Sequence, residues 1–147
     1  MTINITVNDS VIQAKFKSMG ARTNASLKTA IYDLVEKLRT HIVNDKLLGQ
    51  VLNRRTGRLG QSIQTKVTSD ATSIVGIVYS AGDVKYAAIH EYGGTVRTRL
   101  GTGQGVPKPG GQATFEMPER SYMRSSLADM AQDIKNRLQA AVQQGTQ

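Results

Sequence analysis

Between Asn24 and Asn44 the apolar positions Leu27, Ala30, Ile31, Leu34, Val35, Leu38 and Ile42 are separated by 3, 1, 3, 1, 3 and 4 residues. That repeat marks one face of a 3.6-residue helix. A helix of about 20 residues spans about 30 Å, and Thr23 or Asn24 is the expected cap. Upstream, Ile3, Ile5 and Val7 alternate with polar residues and predict a strand over residues 2–8. Residues 9–19 suit a short helix capped by Asp9 or Ser10. Residues 45–60 lose the helical repeat and carry Gly49, Gly57 and Gly60, so a loop is expected, with one helical turn from Arg58 to Gln61. Ile63, Thr65 and Val67 then alternate, and residues 73–80 are rich in β-branched types, which predicts a hairpin turning at Asp70-Ala71-Thr72.

The second half repeats this alternation of types. Residues 86–92 suit a short helix ended by Gly93-Gly94. Thr95-Val96-Arg97-Thr98 and Ala113-Thr114-Phe115 read as the arms of an extended hairpin over residues 95–117, with a glycine-rich tip. Pro118 interrupts the pattern. Ser121 then caps a last helix to Val142, whose apolar face is Met123, Leu127, Met130, Ile134, Leu138 and Ala141. Residues 143–147 are expected to form a flexible tail. The whole predicts a single α+β domain over residues 1–147: a twisted, mainly antiparallel sheet packed by two long helices, with a protruding hairpin.

Composition narrows the function. The chain has 147 residues, no Cys, and 19 Lys and Arg against 11 Asp and Glu, for a net charge of +8. One ordinary domain fits this length. The absence of cysteine excludes a disulfide scaffold, a zinc ribbon and a thiol nucleophile. No apolar run reaches a membrane span and the first residues lack the pattern of a signal peptide, so a soluble protein, intracellular when made, is expected. The charge raises an acidic partner such as nucleic acid, but fits equally a basic domain kept soluble by its surface. Arg54, Arg55 and Arg58 form one local cluster without interleaved aromatics, so no base-stacking platform is evident.

Catalytic constellations are weak. His41 and His90 are the two histidines; His90-Glu91 begins like a zinc-protease helix, but position 94 is glycine, so the motif fails. Gly101, Gly103 and Gly105 are followed by Pro107 and Pro109 rather than by a helix, unlike a phosphate loop. Glu91, Glu116 and Glu119 are carboxylates whose separation no single sequence fixes, and surface carboxylates are the plainer reading. His90 is expected to pack rather than act as a base. No cofactor or metal is expected, and no enzyme activity.

Three ordered segments carry the stronger signal. They are Arg55-Thr56-Gly57-Arg58-Leu59-Gly60-Gln61-Ser62-Ile63, Lys85-Tyr86-Ala87-Ala88-Ile89-His90-Glu91-Tyr92-Gly93-Gly94, and Met117-Pro118-Glu119-Arg120-Ser121-Tyr122-Met123. Over about residues 22–142 this series resembles the neck and tail-completion proteins of the phage virion morphogenesis family. Those proteins share a Thr-Gly-x-Leu-x-x-Ser-Ile segment, a Tyr-Ala-x-x-x-Glu-Tyr/Phe-Gly segment and a Pro-x-Arg-x-Phe/Tyr-Met/Leu segment. The usual Pro-Ala-Arg-Pro-Phe is here Pro118-Glu119-Arg120-Ser121-Tyr122, and the insert around residues 98–112 belongs to no shared motif.

The resemblance implies a virion structural protein at the head–tail interface, assembled in the host cytoplasm. It implies a homo-oligomeric ring, six-fold or twelve-fold, that contacts connector, stopper, tail-terminator or tail-tube proteins and meets DNA in the channel, without a membrane. A basic nucleic-acid-binding protein is the alternative. Residues 95–117 are the candidate arm between subunits. Tyr86, Ile89 and Tyr92 are expected to close the sheet from one side of their helix, and Glu91 to pair with Arg58 or Arg120.

Overall fold

A computed structural model of the chain describes residues 9–50, 57–70, 73–82, 84, 86–99 and 112–147. The strand expected over residues 2–8, Thr56, and the glycine-rich tip lie outside these residues.

The predicted apolar stripe is the spine of the fold. Helix α1 runs without interruption over Asp9–His41, 33 residues. The two helices expected at 9–19 and 24–44 are therefore one. Gly20 sits inside it with no side chain nearby, and a single helical glycine costs only about 1 kcal/mol relative to alanine, too little to break a long helix. The chain then continues as a π-helical segment, Ile42–Gln50, until Leu48 and Gly49 leave helical geometry, Gly49 at φ 121°. This replaces the first part of the loop expected from residue 45.

Helix α2, Arg58–Ser62, follows, and then strands β1, Ile63–Ser69, and β2, Ile74–Ser80. The two strands pair antiparallel from Ile63 opposite Ser80 to Ser69 opposite Ile74. Their inner face lies on α1. Gly76 is required there, because a Cβ would stand 2.5 Å from Val35 and 2.8 Å from Ile31. Helix α3, Tyr86–Tyr92, leads to β3, Gly94–Arg99, and β4, Gln112–Met117, a second antiparallel ribbon. Instead of one continuous sheet, the described residues form two separate two-stranded ribbons.

The final helix also differs from the sequence reading. Helix α4, Met123–Asp129, ends at Met130, and α5, Ala131–Thr146, resumes from it. Leu127 of the expected stripe is exposed. Helix α5 continues through residues 143–146, where a tail was expected, because it lies antiparallel along α1. Arg137 binds Asp33 at 3.1 Å, Lys37 meets Asp133 at 3.9 Å, and Ser26 bonds Gln144. At the far end a Cβ on Gly145 would stand 2.2 Å from the Cα of Thr23, so the two helix backbones touch.

Burial follows the stripe: Ala30, Leu34, Val35 and Ile42 are buried. Ile42 and Leu47 join Ile63 and Tyr122 in one cluster, with Leu38, Val43, Leu59, Val78 and Met123 packed around it. Leu34→Ala should destabilise the domain by about 2–5 kcal/mol, read as a lower urea midpoint. Gly145→Ala tests the helix contact through its sign. In a free helix the change stabilises by up to about 1 kcal/mol, whereas here it should lower the melting temperature, because the backbone of Thr23 has to move.

Candidate functional site

The three motif segments meet at one place, where a carboxylate joins the second to the third and Tyr122 of the third packs on Ile63 of the first. Glu91, on α3, is 3% exposed. Its Oε2 accepts the backbone N–H groups of Tyr122 and Met123, both at 2.8 Å. Its Oε1 accepts the Arg124 N–H and the Ser121 hydroxyl, both at 2.9 Å. The amide donors are the first free N–H groups of α4, which carry the positive end of the helix dipole. Glu91 thus caps a helix about 30 residues away in sequence, the place where Ser121 was expected to act as a local cap.

Arg124 completes the clasp. Its Nε reaches Glu91 Oε1 at 3.1 Å, and its Nη2 donates to the Glu91 carbonyl at 3.0 Å and to Glu119 at 2.7 Å. The guanidinium on Glu91 is therefore that of Arg124, not that of Arg120. Arg120 instead donates its backbone N–H to the His90 carbonyl at 2.8 Å, and Arg58 is exposed at the start of α2. Burial alone would raise the Glu91 pKa, but the Met123 and Arg124 amides, the Ser121 hydroxyl and the guanidinium outweigh it and hold the carboxyl below its ordinary range. The same hydrogen bond to Glu91 raises the Arg124 pKa.

Tyr122 plugs the junction. It is 1% exposed, packs with Ile42, Leu47 and Ile63, and directs its hydroxyl to the Ala87 carbonyl at 3.4 Å. Burial first, then the Glu91 charge, pushes its pKa up to about 12. Met123 lies beside it, and Ala87 is buried. Helix α3 thus turns Ala87 and Glu91 inward. Tyr86 and Tyr92, expected to face the sheet, are exposed; Arg124 lies 4.8 Å from the Tyr92 ring centre. His90 meets the Tyr86 ring edge-on, its Nδ1 buried without a hydrogen-bond partner among the described residues. Burial and the nearby Arg120 charge lower its pKa, favouring a neutral, packed imidazole.

The first segment enters from the other side. Gly57, at φ 74°, starts α2 in a left-handed conformation. Leu59 packs on the core and Ile63 is fully buried within it. Ser62 bonds the Leu59 carbonyl at 2.7 Å and the Ser80 hydroxyl at 2.8 Å, tying α2 to the end of β2. Arg39 of α1 donates to the Ile63 carbonyl at 2.9 Å.

The candidate arm begins at the clasp. Gly93, at φ 69°, passes so close to the third segment that a Cβ would stand 2.7 Å from the Glu119 nitrogen. From there β3 and β4 pair Val96 with Phe115, Thr95 with Glu116, Arg97 with Thr114 and Thr98 with Ala113. Residues directly opposite share a face, so Val96, Phe115, Ala113 and Met117 share one and Thr95, Arg97, Thr114 and Glu116 the other. Phe115 is 44% exposed, and among the described residues no other element packs extensively on this ribbon. Pro118 and Arg120 are exposed on the return to α4.

A second polar cluster went unnoticed in the sequence. His41 faces Asp45 at 2.5 Å and Asp129 at 3.3 Å, and Lys46 binds Asp129 at 2.6 Å. It locks the end of α1 to α4. Beside it a groove of about 750 Å3, lined by Asp33, Glu36, Lys37 and Arg137, is filled with charges that pair with one another or with neighbours. Among the described residues no group of His, Asp and Glu is placed to hold a metal, and no helix is long and apolar enough to cross a membrane.

Residues 32–143 match the phage virion morphogenesis family. No curated protein and no solved structure matches the chain.

The clasp has a pH signature. Because the folded pKa of Glu91 lies below its ordinary value of 4.5, its contribution is fully present above that pH and is lost as pH falls through the folded value. Glu91→Gln should remove this acid-side loss from a stability-versus-pH curve. Glu91→Ala, which leaves the α4 amides without acceptors, should cost about 2–4 kcal/mol at neutral pH.

Proposed function

Since the chain belongs to the phage virion morphogenesis family, we propose that it is a structural protein of the virion neck. On this reading it completes the upper end of the tail and joins it to the head. It acts by binding, and the reading assigns no chemistry to His90 or Glu91: the first packs on Tyr86, and the second caps α4. Its partners are further copies of itself in a six-fold or twelve-fold ring, and the connector, stopper, tail-terminator or tail-tube proteins on either side.

The observation that carries the proposal is the exposed β3–β4 ribbon rooted in the three-segment clasp. A two-stranded ribbon is marginal by itself. This one carries an apolar face that includes exposed Phe115, and each of its strands pairs on one edge among the described residues. Such an element gains by adding to a neighbour through backbone pairing and apolar contact. A patch that meets a different patch on the next copy makes a head-to-tail contact, which closes into a ring when the rotation permits. The clasp fixes the direction in which the ribbon leaves the body, as a ring of defined symmetry requires.

Electron microscopy of particles made without this protein should show filled heads and separate tails, rejoined by adding the purified chain. Normal infectious particles would overturn the proposal. Phe115→Glu should leave the melting temperature nearly unchanged, since a substitution at an exposed position shifts stability by about 0.5 kcal/mol or less, and deletion of residues 100–111 should leave the body folded. Both should lower the yield of rejoined particles, and full rejoining would remove the arm from the mechanism.

A further inference from the structure

Charge is unevenly satisfied over this protein. Every Asp and Glu whose side chain is described has a hydrogen-bond or ion partner. Among the described residues Lys15, Lys17, Arg22 and Lys28 have none, and all four are exposed on the N-terminal half of α1. No acidic residue lies between Asp9 and Asp33. Helix α5 ends at the level of Thr23, where Gly145 touches α1, so the turns carrying Lys15, Lys17 and Arg22 lie at and beyond the end of that packing.

The cations are also ordered. At 100° per residue, Lys15 and Arg22 fall on one flank of the helix and Lys17 and Lys28 on the other. Between them, opposite the buried Ala30 and Leu34 and the half-buried Leu38, runs a row of small exposed residues: Ala14, Ser18, Ala21, Ala25 and Thr29. The Ser18 and Thr29 hydroxyls bond back to the carbonyls of Lys15 and Ala25, which keeps the row low. The face is about 23 Å long at 1.5 Å per residue.

We propose that this face of α1, residues 14–29, binds duplex DNA. The row of small residues lets the helix axis approach closely, and cations on both flanks reach the phosphate ridges on either side of a major groove about 12 Å wide. The major groove of duplex RNA is too narrow for such a helix. A single strand is a poorer fit, because Tyr32 is the one exposed aromatic described along this face, whereas strand binding draws on several stacked bases. Contacts of this kind fall on phosphate and carry no base sequence, so the binding is non-specific and salt-dependent. The inference goes beyond the neck reading and rests on it only in naming the particle's genome as the duplex encountered.

The test is fluorescence anisotropy of the purified full chain with a labelled duplex of about 20 base pairs. Four phosphate contacts predict a slope of about −3.6 in log affinity against log salt, so affinity should fall about 100-fold between about 50 and about 200 mM salt. Replacing Lys15, Lys17, Arg22 and Lys28 together by alanine keeps good helix formers and should abolish that dependence, with helicity unchanged by circular dichroism. Ala21→Glu, which places an acid in the row of small residues, should weaken binding as well. A control with Lys66 and Lys135, exposed cations outside this face, replaced by alanine should bind like the wild type.

The proposal is overturned if the wild type does not bind the duplex at low salt, or if the α1 quadruple variant binds as well as the control. Equal affinity for polyglutamate would overturn it in favour of an acidic protein partner, and equal affinity for duplex RNA would exclude groove docking. None of these results bears on the particle morphology that tests the neck reading.

Discussion

The fold hangs on a carboxylate almost wholly withdrawn from solvent. Glu91 replaces water around the first amides of α4, and in doing so fixes α3, the return from β4 and the start of the final helices relative to one another. A buried charge is costly unless its lone pairs are filled. Here they are filled by three backbone amides, a hydroxyl and a guanidinium. The cost of desolvation is offset by hydrogen bonds that need this one arrangement of the chain. Tyr122, carried by the same turn, inserts into the cluster of Ile42, Leu47 and Ile63. Polar satisfaction and apolar packing therefore select the same geometry, which is the condition for a single native state.

Close backbone approach supports the clasp at three places. Gly76 seats β2 on α1, Gly145 seats α5 on α1, and Gly93 lets the root of the ribbon pass against the strand that returns from it. At each, a methyl group would fall within 3 Å of a neighbouring atom. The first two hold the helical body together. The third sits between the body and the ribbon, so the direction of the ribbon is set by backbone contact rather than by flexible side chains.

How much of this was legible in the sequence follows from the range of each interaction. The stripe from Leu27 to Ile42 was legible because a 3.6-residue period records burial locally, and Ala30, Leu34, Val35 and Ile42 are buried as that period requires. Both hairpins were legible from alternation, and the motif segments contain Glu91, Ser121, Tyr122 and Met123 of the clasp but not Arg124. Its wiring was not legible. Glu91 is held mainly by backbone amides about 30 residues away, and amides leave no mark in side-chain pattern. Apolarity suggested that Tyr86 and Tyr92 face inward, yet the helix buries Ala87 and Glu91, because capping α4 requires the carboxylate on the inner side. Gly49 suggested a loop over a region that stays wound as far as Leu47, and so hid Leu47 as a member of the core. Gly20 suggested a break that the length of α1 overrides.

The same accounting explains where the net charge of +8 is placed. Acidic side chains do internal work: Glu91 caps a helix, Asp129 receives His41 and Lys46, Asp33 and Asp133 tie α5 to α1, and Glu36 bonds Thr65. Each also neutralises or occupies a nearby partner, so the surplus of positive charge is displaced to surfaces that no acid reaches. On α1 that surface begins where the pairing with α5 gives out. One long helix thus serves two purposes along its length. Its C-terminal half builds the body through the apolar stripe and the ion pairs with α5. Its N-terminal half keeps the helical period but presents to the outside cations that no described acid pairs. The division arises from where the acids were needed, and it leaves the protein with a rigid body, a ribbon suited to pairing with a neighbour, and a basic helix suited to a polyanion.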